Sequence, residues 1–355
     1  MRRFILAVSC LFVLTTAVHA GGDRKYVVGF YNVENLFDTV HDEGKDDAEF
    51  LPDGKSAWTE GKYNLKLRNI ATVIKAMADE NGCYHSIIGL AEVENRGVLK
   101  DLVKQKDIAP AKYRIVHHEG PDTRGIDVAL LYKPSDFKLI GSESIPFDLS
   151  RTRVPVESKD SLQAVFKTRD ILMVHGRLAG EEVAVYVAHL PSRLGGRGGN
   201  LRDVGAEIIY NHAMRMSAAH PGIKIVVMGD MNDDPVDESQ VVWLHARETL
   251  SETTDADFFC PFISMLKDGY GSMEYRGTWE IFDNILVNST LAKAPQGGLR
   301  IQQTDDRGHY GRVFKVPFNT QQTGNYKGTP FRTFSYGAFI NGYSDHYPTF
   351  IVLGK

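Results

Sequence analysis

The chain has 355 residues, of which 43% are hydrophobic and 24% charged; that balance belongs to an ordinary globular protein and excludes a disordered or low-complexity one. Its formal charge of −4 excludes a protein that holds polyanions by bulk electrostatics, so a polyanionic substrate must be met by local Arg and Lys or by metal ions.

Residues 1–20, MRRFILAVSCLFVLTTAVHA, begin with Arg2 and Arg3, continue in an apolar stretch and end with Val18 and Ala20 at the −3 and −1 positions of a cleavage site. This is the pattern of a signal peptide. The apolar run is short for a transmembrane anchor, and it continues well past Cys10, which disfavours a lipid-modified cysteine. The expectation is export to the periplasm or the medium, with cleavage near Ala20 and no stable membrane anchor. Cleavage removes two of the 41 basic residues and none of the 45 acidic ones, leaving a charge of about −6. Cys83 and Cys260 then remain, enough for one disulfide in an oxidising compartment or for two buried thiols, but neither a disulfide framework nor a zinc spacing.

Residues 21–355 show no Pro/Ser-rich linker, charge block or internal repeat and read as a single domain, expected to be monomeric. In chain order, strand-length runs occur at KYVVGFYN, SIIGLAEV, IDVALLY, DILMVHG, EVAVYVAHL, KIVVMGD, FDNILVN and YPTFIVL. Helical periodicity separates some of them. YNLKLRNIATVIKAMAD places Leu65, Ile70, Val73, Ile74 and Met77 close to one face, and NLRDVGAEIIYNHAMRMSA is a second helix. Other strands follow one another through short turns. The mixture predicts an α/β protein of two packed sheets covered by helices rather than one parallel doubly wound sheet.

Polar residues fall at the edges of these strands: Asn32 and Glu34 after VVGFY, Glu92 and Glu94 after IIGLA, His189 after VYVA, Asp230 and Asn232 after IVVMG, and Asp283 before NILV. Strand ends can converge on one rim of a sheet, where a rigid scaffold presents catalytic groups. The segment MGDMNDDP is not a calcium loop. Asp230, Asn232 and Asp234 occupy its first, third and fifth positions, but Pro235 stands where Gly is needed and Val241 where a bidentate Glu is needed. Asp233, Asp234 and Pro235 are ordinary turn formers.

The motifs YNVENLF with Asn32, GLAEVEN with Glu92, VAHLPSR with His189, GDMNDDP with Asp230 and Asn232, IFDNILV with Asp283, and SDHYP with Asp345 and His346 follow one another in an order that resembles the endonuclease/exonuclease/phosphatase superfamily. The resemblance spans nearly the whole chain after the leader. It implies a four-layer α/β/β/α sandwich and a metal-dependent hydrolase of phosphoesters. Mg²⁺ or Mn²⁺, hard cations that prefer oxygen donors, would be held by Glu92 with Asn32 and Asp345. The resemblance also implies that Asp230 orients or deprotonates the attacking water, Asn232 holds a phosphate oxygen, and His346 donates to the phosphate with its tautomer fixed by Asp283. His189 would be a second phosphate donor or a general acid.

Two positions depart from the family pattern: Ala91 stands where Gln often precedes the metal-binding Glu, and Ala188 where a polar residue is common. The tyrosine-containing loop of abasic-site repair enzymes is absent near RGIDVALLY, which argues against DNA repair. Candidate substrate contacts are Arg193, Arg197 and Arg202 in the Gly-rich SRLGGRGGNLR, Arg124 before IDVALLY, and Lys327 and Arg332 in the aromatic segment TGNYKGTPFRTFSYG. The Gly-rich stretch lacks the Lys-Ser/Thr of a P-loop. NST at 288–290 matches a glycosylation acceptor and matters only where the source glycosylates exported proteins. The extended FYNVENLFD and HLPSRLGG forms look like bacterial secreted nucleases, so a nucleic acid substrate is expected. A phosphatase or lipid phosphodiesterase acting on a phosphorylated small molecule or lipid head group is the alternative, and a binding module without catalysis would require gaps in the site that the sequence does not show.

Overall fold

The computed structural model describes residues 24–193, 199–275 and 277–355; the predicted leader and Arg197 lie outside the described residues. The first of two large mixed sheets runs, in spatial order, Arg300–Gln302, Thr349–Gly354, Tyr26–Leu36, Ile87–Val93, Asp127–Tyr132 and Arg114–His117, with Gly311–Val313 also paired to Thr349–Gly354. The second runs Phe137–Ile145, Ile171–Leu178, Glu181–His189, Lys224–Asp230, Asp283–Asn288, Phe258–Phe259 and Ala246–Arg247. Among the described residues no helix is long and apolar enough to cross a membrane.

Side-chain alternation produces the layers. In the strand Tyr26–Leu36, Val28 and Phe30 join Val185, Val187, Val226 and Met228 in the core between the sheets. Val27, Tyr31 and Val33 turn the other way and pack under the helix Glu60–Asn81 with Ile70, Ile74 and Met77. The period-2 pleat thus feeds two cores from one strand. The second sheet is covered in turn by the helix Gly199–Ala219 through Ala206, Ile209 and Ala213. Gly89 lets the sheets close: a Cβ there would lie 2.6 Å from the Met228 sulfur. The expected four-layer α/β/β/α sandwich is therefore the fold that the chain adopts.

The helix Glu60–Asn81 starts at Thr59, whose side chain accepts the Lys62 N–H, and stops at Gly82 with φ +70°. Its buried stripe differs from the expected one at two positions. Leu65 is partly exposed, whereas Lys66 is fully buried. The Lys66 ammonium donates to the Thr333 hydroxyl and to the Tyr343 carbonyl, and lies 3.9 Å from Glu34. Those partners are what make its burial tolerable. Cys83 and Cys260 are free thiols.

Two pairs of long strands are parallel, Tyr26–Leu36 with Ile87–Val93 and Glu181–His189 with Lys224–Asp230, and a long helix crosses over within each pair; the short pair Ala246–Arg247 and Phe258–Phe259 at the sheet edge is parallel as well. The antiparallel neighbours of the long pairs begin at Asp127, Ile171, Asp283 and Thr349. The ends of the first set and the starts of the second therefore share one rim.

His85 is fully buried against Phe350, and neither ring nitrogen has a hydrogen-bond partner. Burial pushes its pKa down to about 4. The unfolded chain binds a proton below the ordinary histidine value of 6.5 while the native chain does not, so stability falls as pH drops from about 6.5 to about 4, by up to about 3 kcal/mol. We expect thermal unfolding of His85→Leu, followed over that range, to lose this part of the acid sensitivity. An unchanged slope would exclude His85 as the responsible group.

Candidate active site at the shared rim

Three adjacent strands place His189, Asp230 and Asp283 in one row, because His189 pairs in register with Asp230 and Asp230 with Asp283. The facing sheet contributes Asn32 and Glu92 from neighbouring parallel strands. Both of those strands slip register there, between Asn32 and Leu36 and between Ala91 and Val93. Glu92 sits in the slip with φ +63°, and Glu34 and Asn35 have φ +51° and +54°. Bulges of this kind re-aim side chains at the end of a sheet. Here they bring Glu92 into hydrogen-bond contact with Asn32 and the Asn35 N–H.

Asn32 joins the two sheets. Its Nδ2 donates to Asp230 Oδ2 at 2.9 Å and to Glu92 Oε1 at 3.3 Å, while its Oδ1 accepts the Glu34 N–H at 3.0 Å. Asp230 also accepts the Asn232 N–H at 3.0 Å, and one Asn232 amide hydrogen goes to the Leu190 carbonyl at 3.0 Å. His346 enters from the loop before the strand Thr349–Gly354. Its Nδ1 lies 2.7 Å from Asp283 Oδ2, and its Nε2 is 3.8 Å from Asp230 and 3.9 Å from Asp345. The buried Asp283 carboxylate requires Nδ1 to carry the proton.

The two histidines are driven in opposite directions. Burial alone would lower the His346 pKa, but Asp283 and Asp230 outweigh it and hold the ring well above the ordinary histidine range, as an imidazolium. Burial, then the Arg169 and Arg124 charges, push His189 well below that range. Neutral His189 keeps Nε2 facing Asp230 at 3.5 Å and Glu92 at 3.9 Å, so this nitrogen carries the hydrogen. It is placed to donate a hydrogen bond rather than to release a proton as an acid.

Burial raises the pKa of both Glu92 and Asp230, and after burial the Asp345 charge raises Glu92 most. Glu34 is lifted to about 7 by burial and by Asp345, with Lys66 opposing. Burial would raise Asp345, but His346 and Arg332 outweigh it and hold this carboxyl below its ordinary range, so its charge bears on the buried Glu92, and a hard divalent cation would relieve that repulsion. Glu92, Asp345 and the Asn32 carboxamide are the oxygen donors available to such a cation, with Asn32 Oδ1 accepting the Glu34 N–H and its Nδ2 turned to Glu92. Asp230, Asp283 and His346 also bring ligand atoms within 4.8 Å of one another, but the inner nitrogen of His346 is committed to Asp283.

Two clefts flank the rim. One of about 720 Å³ is lined by Tyr275, Tyr326, Arg332 and Asp345 among others. The other, of about 390 Å³, is lined by Glu34, Asn35, Phe37 and Arg124. Arg332 pairs with Asp345 at 2.8 Å. Arg124 is close enough to Glu92 and His189 to lower both of their pKa values.

Arg193 does not join the substrate contacts expected of it. Its guanidinium reaches the Asn232 carbonyl, Asp233, Asp237 and Glu280, and stacks over Phe282. A cation with this many acceptors holds the turn after Asp230 in place and has little left for a phosphate. Arg202 likewise pairs with Asp233, at 2.7 Å. Asp234 accepts the Ile281 N–H at 2.7 Å, in keeping with its turn role. Sequence reasoning missed Arg169, which is buried between Asp122 and the Leu190 carbonyl. It precedes Ile171–Leu178, a strand whose start lies on the rim only because it runs antiparallel to Glu181–His189. No local motif marks it.

The family model described as Endonuclease/Exonuclease/phosphatase family matches residues 27–355, and the chain belongs to that family. Its members are phosphoester hydrolases that generally use divalent metals. No curated protein matches significantly. Among solved structures the chain is similar to an endonuclease/exonuclease/phosphatase family protein of Bacteroides thetaiotaomicron, with TM-score 0.56 and 15% identity over 94% of this chain and 98% of the other. A mannosyl-6-phosphatase of the same organism gives TM-score 0.55 and 15% identity over 92% and 99% of the two chains. D. rerio TDP2, in complex with single-strand DNA product, gives 0.54 and 14% over 94% and 100%. At these identities the likeness concerns the fold.

Replacing Arg193 leaves Asp233, Asp237 and Glu280 to repel one another. Arg193→Ala is expected to lower unfolding free energy by about 2–3 kcal/mol in urea titrations while leaving KM nearly unchanged at a temperature where the variant is folded. A raised KM with unchanged stability would instead make it a substrate contact.

Proposed function

We propose that the protein is an exported, divalent-metal-dependent phosphodiesterase that hydrolyses extracellular DNA or RNA. The observation that carries the hydrolytic reading is the His189–Asp230–Asp283 row, faced by Asn32 and Glu92 and closed by His346. A phosphoester needs a positioned base for water and fixed donors for the charge on the phosphoryl oxygens. Asp230 is the base: Asn32 and the Asn232 N–H orient its carboxylate, and burial raises its affinity for a proton. His346, held cationic by Asp283, presents its Nε2 hydrogen to a phosphoryl oxygen, and neutral His189 presents a second. Asn232 has one further amide hydrogen for the same group. Glu92, Asn32 and Asp345 would hold the cation, which when bound polarises the phosphoryl group and stabilises the leaving oxygen.

The nucleic acid reading is supported by the larger cleft, where Tyr275 and Tyr326 stand near Arg332 beside Asp345. Aromatic faces with an adjacent guanidinium suit a base and its phosphate. Export rests on residues 1–20 of the sequence. A second reading, a phosphatase acting on a small phosphorylated molecule, is favoured by the acidic charge of the chain, which disfavours a long polyanion.

Purified protein incubated with supercoiled plasmid, with RNA and with a sugar phosphate, in Mg²⁺ or Mn²⁺ against EDTA, separates the two. Metal-dependent polymer cleavage, reduced about 10²–10⁴-fold by His346→Ala or Asp230→Asn, is expected. Phosphate release from the sugar phosphate with intact polymers would establish the second reading and overturn the first. Turnover indifferent to both substitutions would remove the rim from catalysis.

A further inference from the structure

A second group of ligating side chains comes together at the other end of the strand that carries His189. Glu182 is the second residue of that strand, about 23 Å from His189 at the usual rise per residue. His175 comes from the neighbouring strand Ile171–Leu178, opposite Ala184 and therefore diagonal to Glu182 on the same face of the sheet. His220 follows the helix Gly199–Ala219, with its N–H still bonded to Met216, before the Pro221–Gly222 turn.

The three side chains meet at one oxygen. His175 Nε2 lies 2.6 Å and His220 Nδ1 2.9 Å from Glu182 Oε1, and all three ligand atoms fall within 4.8 Å of one another. The rings stand edge to face with centroids 4.9 Å apart, and each turns a nitrogen to Glu182. The neighbouring acid does not compete for them, because Glu181 is taken up by Lys224 at 2.8 Å and Lys355 at 3.2 Å. All three ligating side chains remain in contact with solvent, so an ion has a path in.

Two imidazoles and a carboxylate, converging from three segments, are the donor set of a zinc site with three protein ligands and one open position. An oxygen-preferring cation such as Mg²⁺ is poorly served by it. We propose that His175, Glu182 and His220 bind Zn²⁺, which clips the start of the central strand to the end of the helix that covers it. On binding, the ring nitrogens now turned to Glu182 present lone pairs to the ion: a neutral ring carries its hydrogen on the other nitrogen, an imidazolium gives up one proton to solvent, and the Glu182 carboxylate is the third ligand. Arg177, opposite Glu182 in the ladder, opposes the incoming charge and keeps the site weaker than a closed four-ligand one. The site is independent of the rim and of the reaction assigned to it.

Protein stripped with EDTA and reloaded with Zn²⁺ tests the proposal by elemental analysis after gel filtration and by thermal unfolding. To separate the two metal sites, the measurement is made in Glu92→Gln, which weakens the rim, with and without His220→Asn or His175→Asn. One Zn²⁺ per chain and a raised Tm are expected in Glu92→Gln, with at least tenfold weaker binding and no Tm shift once either histidine is replaced. Equal zinc retention with and without the histidines, or no retention in Glu92→Gln, would overturn the proposal. Glu182→Gln keeps an acceptor for both imidazoles and guards against a folding defect: if it too binds zinc as tightly as the parent, the site is refuted.

Discussion

Five carboxylates crowd one rim of this sandwich, and much of the local structure is arranged around their repulsion. Asp283 is neutralised by His346, Asp345 by Arg332, and Glu34 by Lys66, which reaches in from the helix on the far side of the sheet. Asp230 and Glu92 have no cation in direct contact: His346 stands 3.8 Å from Asp230, and Arg124 and His346 only partly offset the burial of Glu92. They share the Asn32 amide and two backbone N–H groups instead, and burial raises both of their pKa values. Buried charge without a full counter-charge is costly, and it is tolerated where a bound cation or a reacting group is to supply the balance.

Backbone conformation carries part of the same cost. Glu34, Asn35, Glu92 and Asn232 all adopt left-handed φ values, at roughly 1–2 kcal/mol each for residues with a Cβ. All four lie where a strand ends on the rim. The two apolar cores, which are fed by alternate residues of the same strands, hold these ends in place. A looser scaffold would let the bulges relax and would turn Glu92 away from Asn32.

The two histidines show how position outranks residue type. His346 faces Asp283, Asp230 and Asp345, whereas His189 lies where Arg169 and Arg124 also bear on it. One ring is kept charged and the other neutral, so the pair offers two kinds of hydrogen-bond donor from a single side-chain chemistry.

Much of this was legible in the chain. The apolar runs marked the central strands, helical periodicity marked the two long helices, and the polar residues closing those runs marked Asn32, Glu92, His189, Asp230 and Asp283. The edge strand Phe137–Ile145 escaped because most of its residues are exposed, which leaves no clear apolar pattern to read. Lys66 escaped because an isolated lysine on a helix reads as a surface residue, and only the fold brings Glu34, Thr333 and the Tyr343 carbonyl to it. Arg193 misled for the converse reason: its place in a Gly-rich loop suggested a phosphate, but the acids that occupy it come from the turn after Asp230 and from Glu280, 87 residues away. By itself, then, the sequence determined the layers and the residue types at the strand ends, since both follow from local periodicity. The tertiary structure alone decided which of those ends meet, which charges pair and which histidine is protonated, because these depend on strand direction, register and burial, and on distances between segments far apart in the chain.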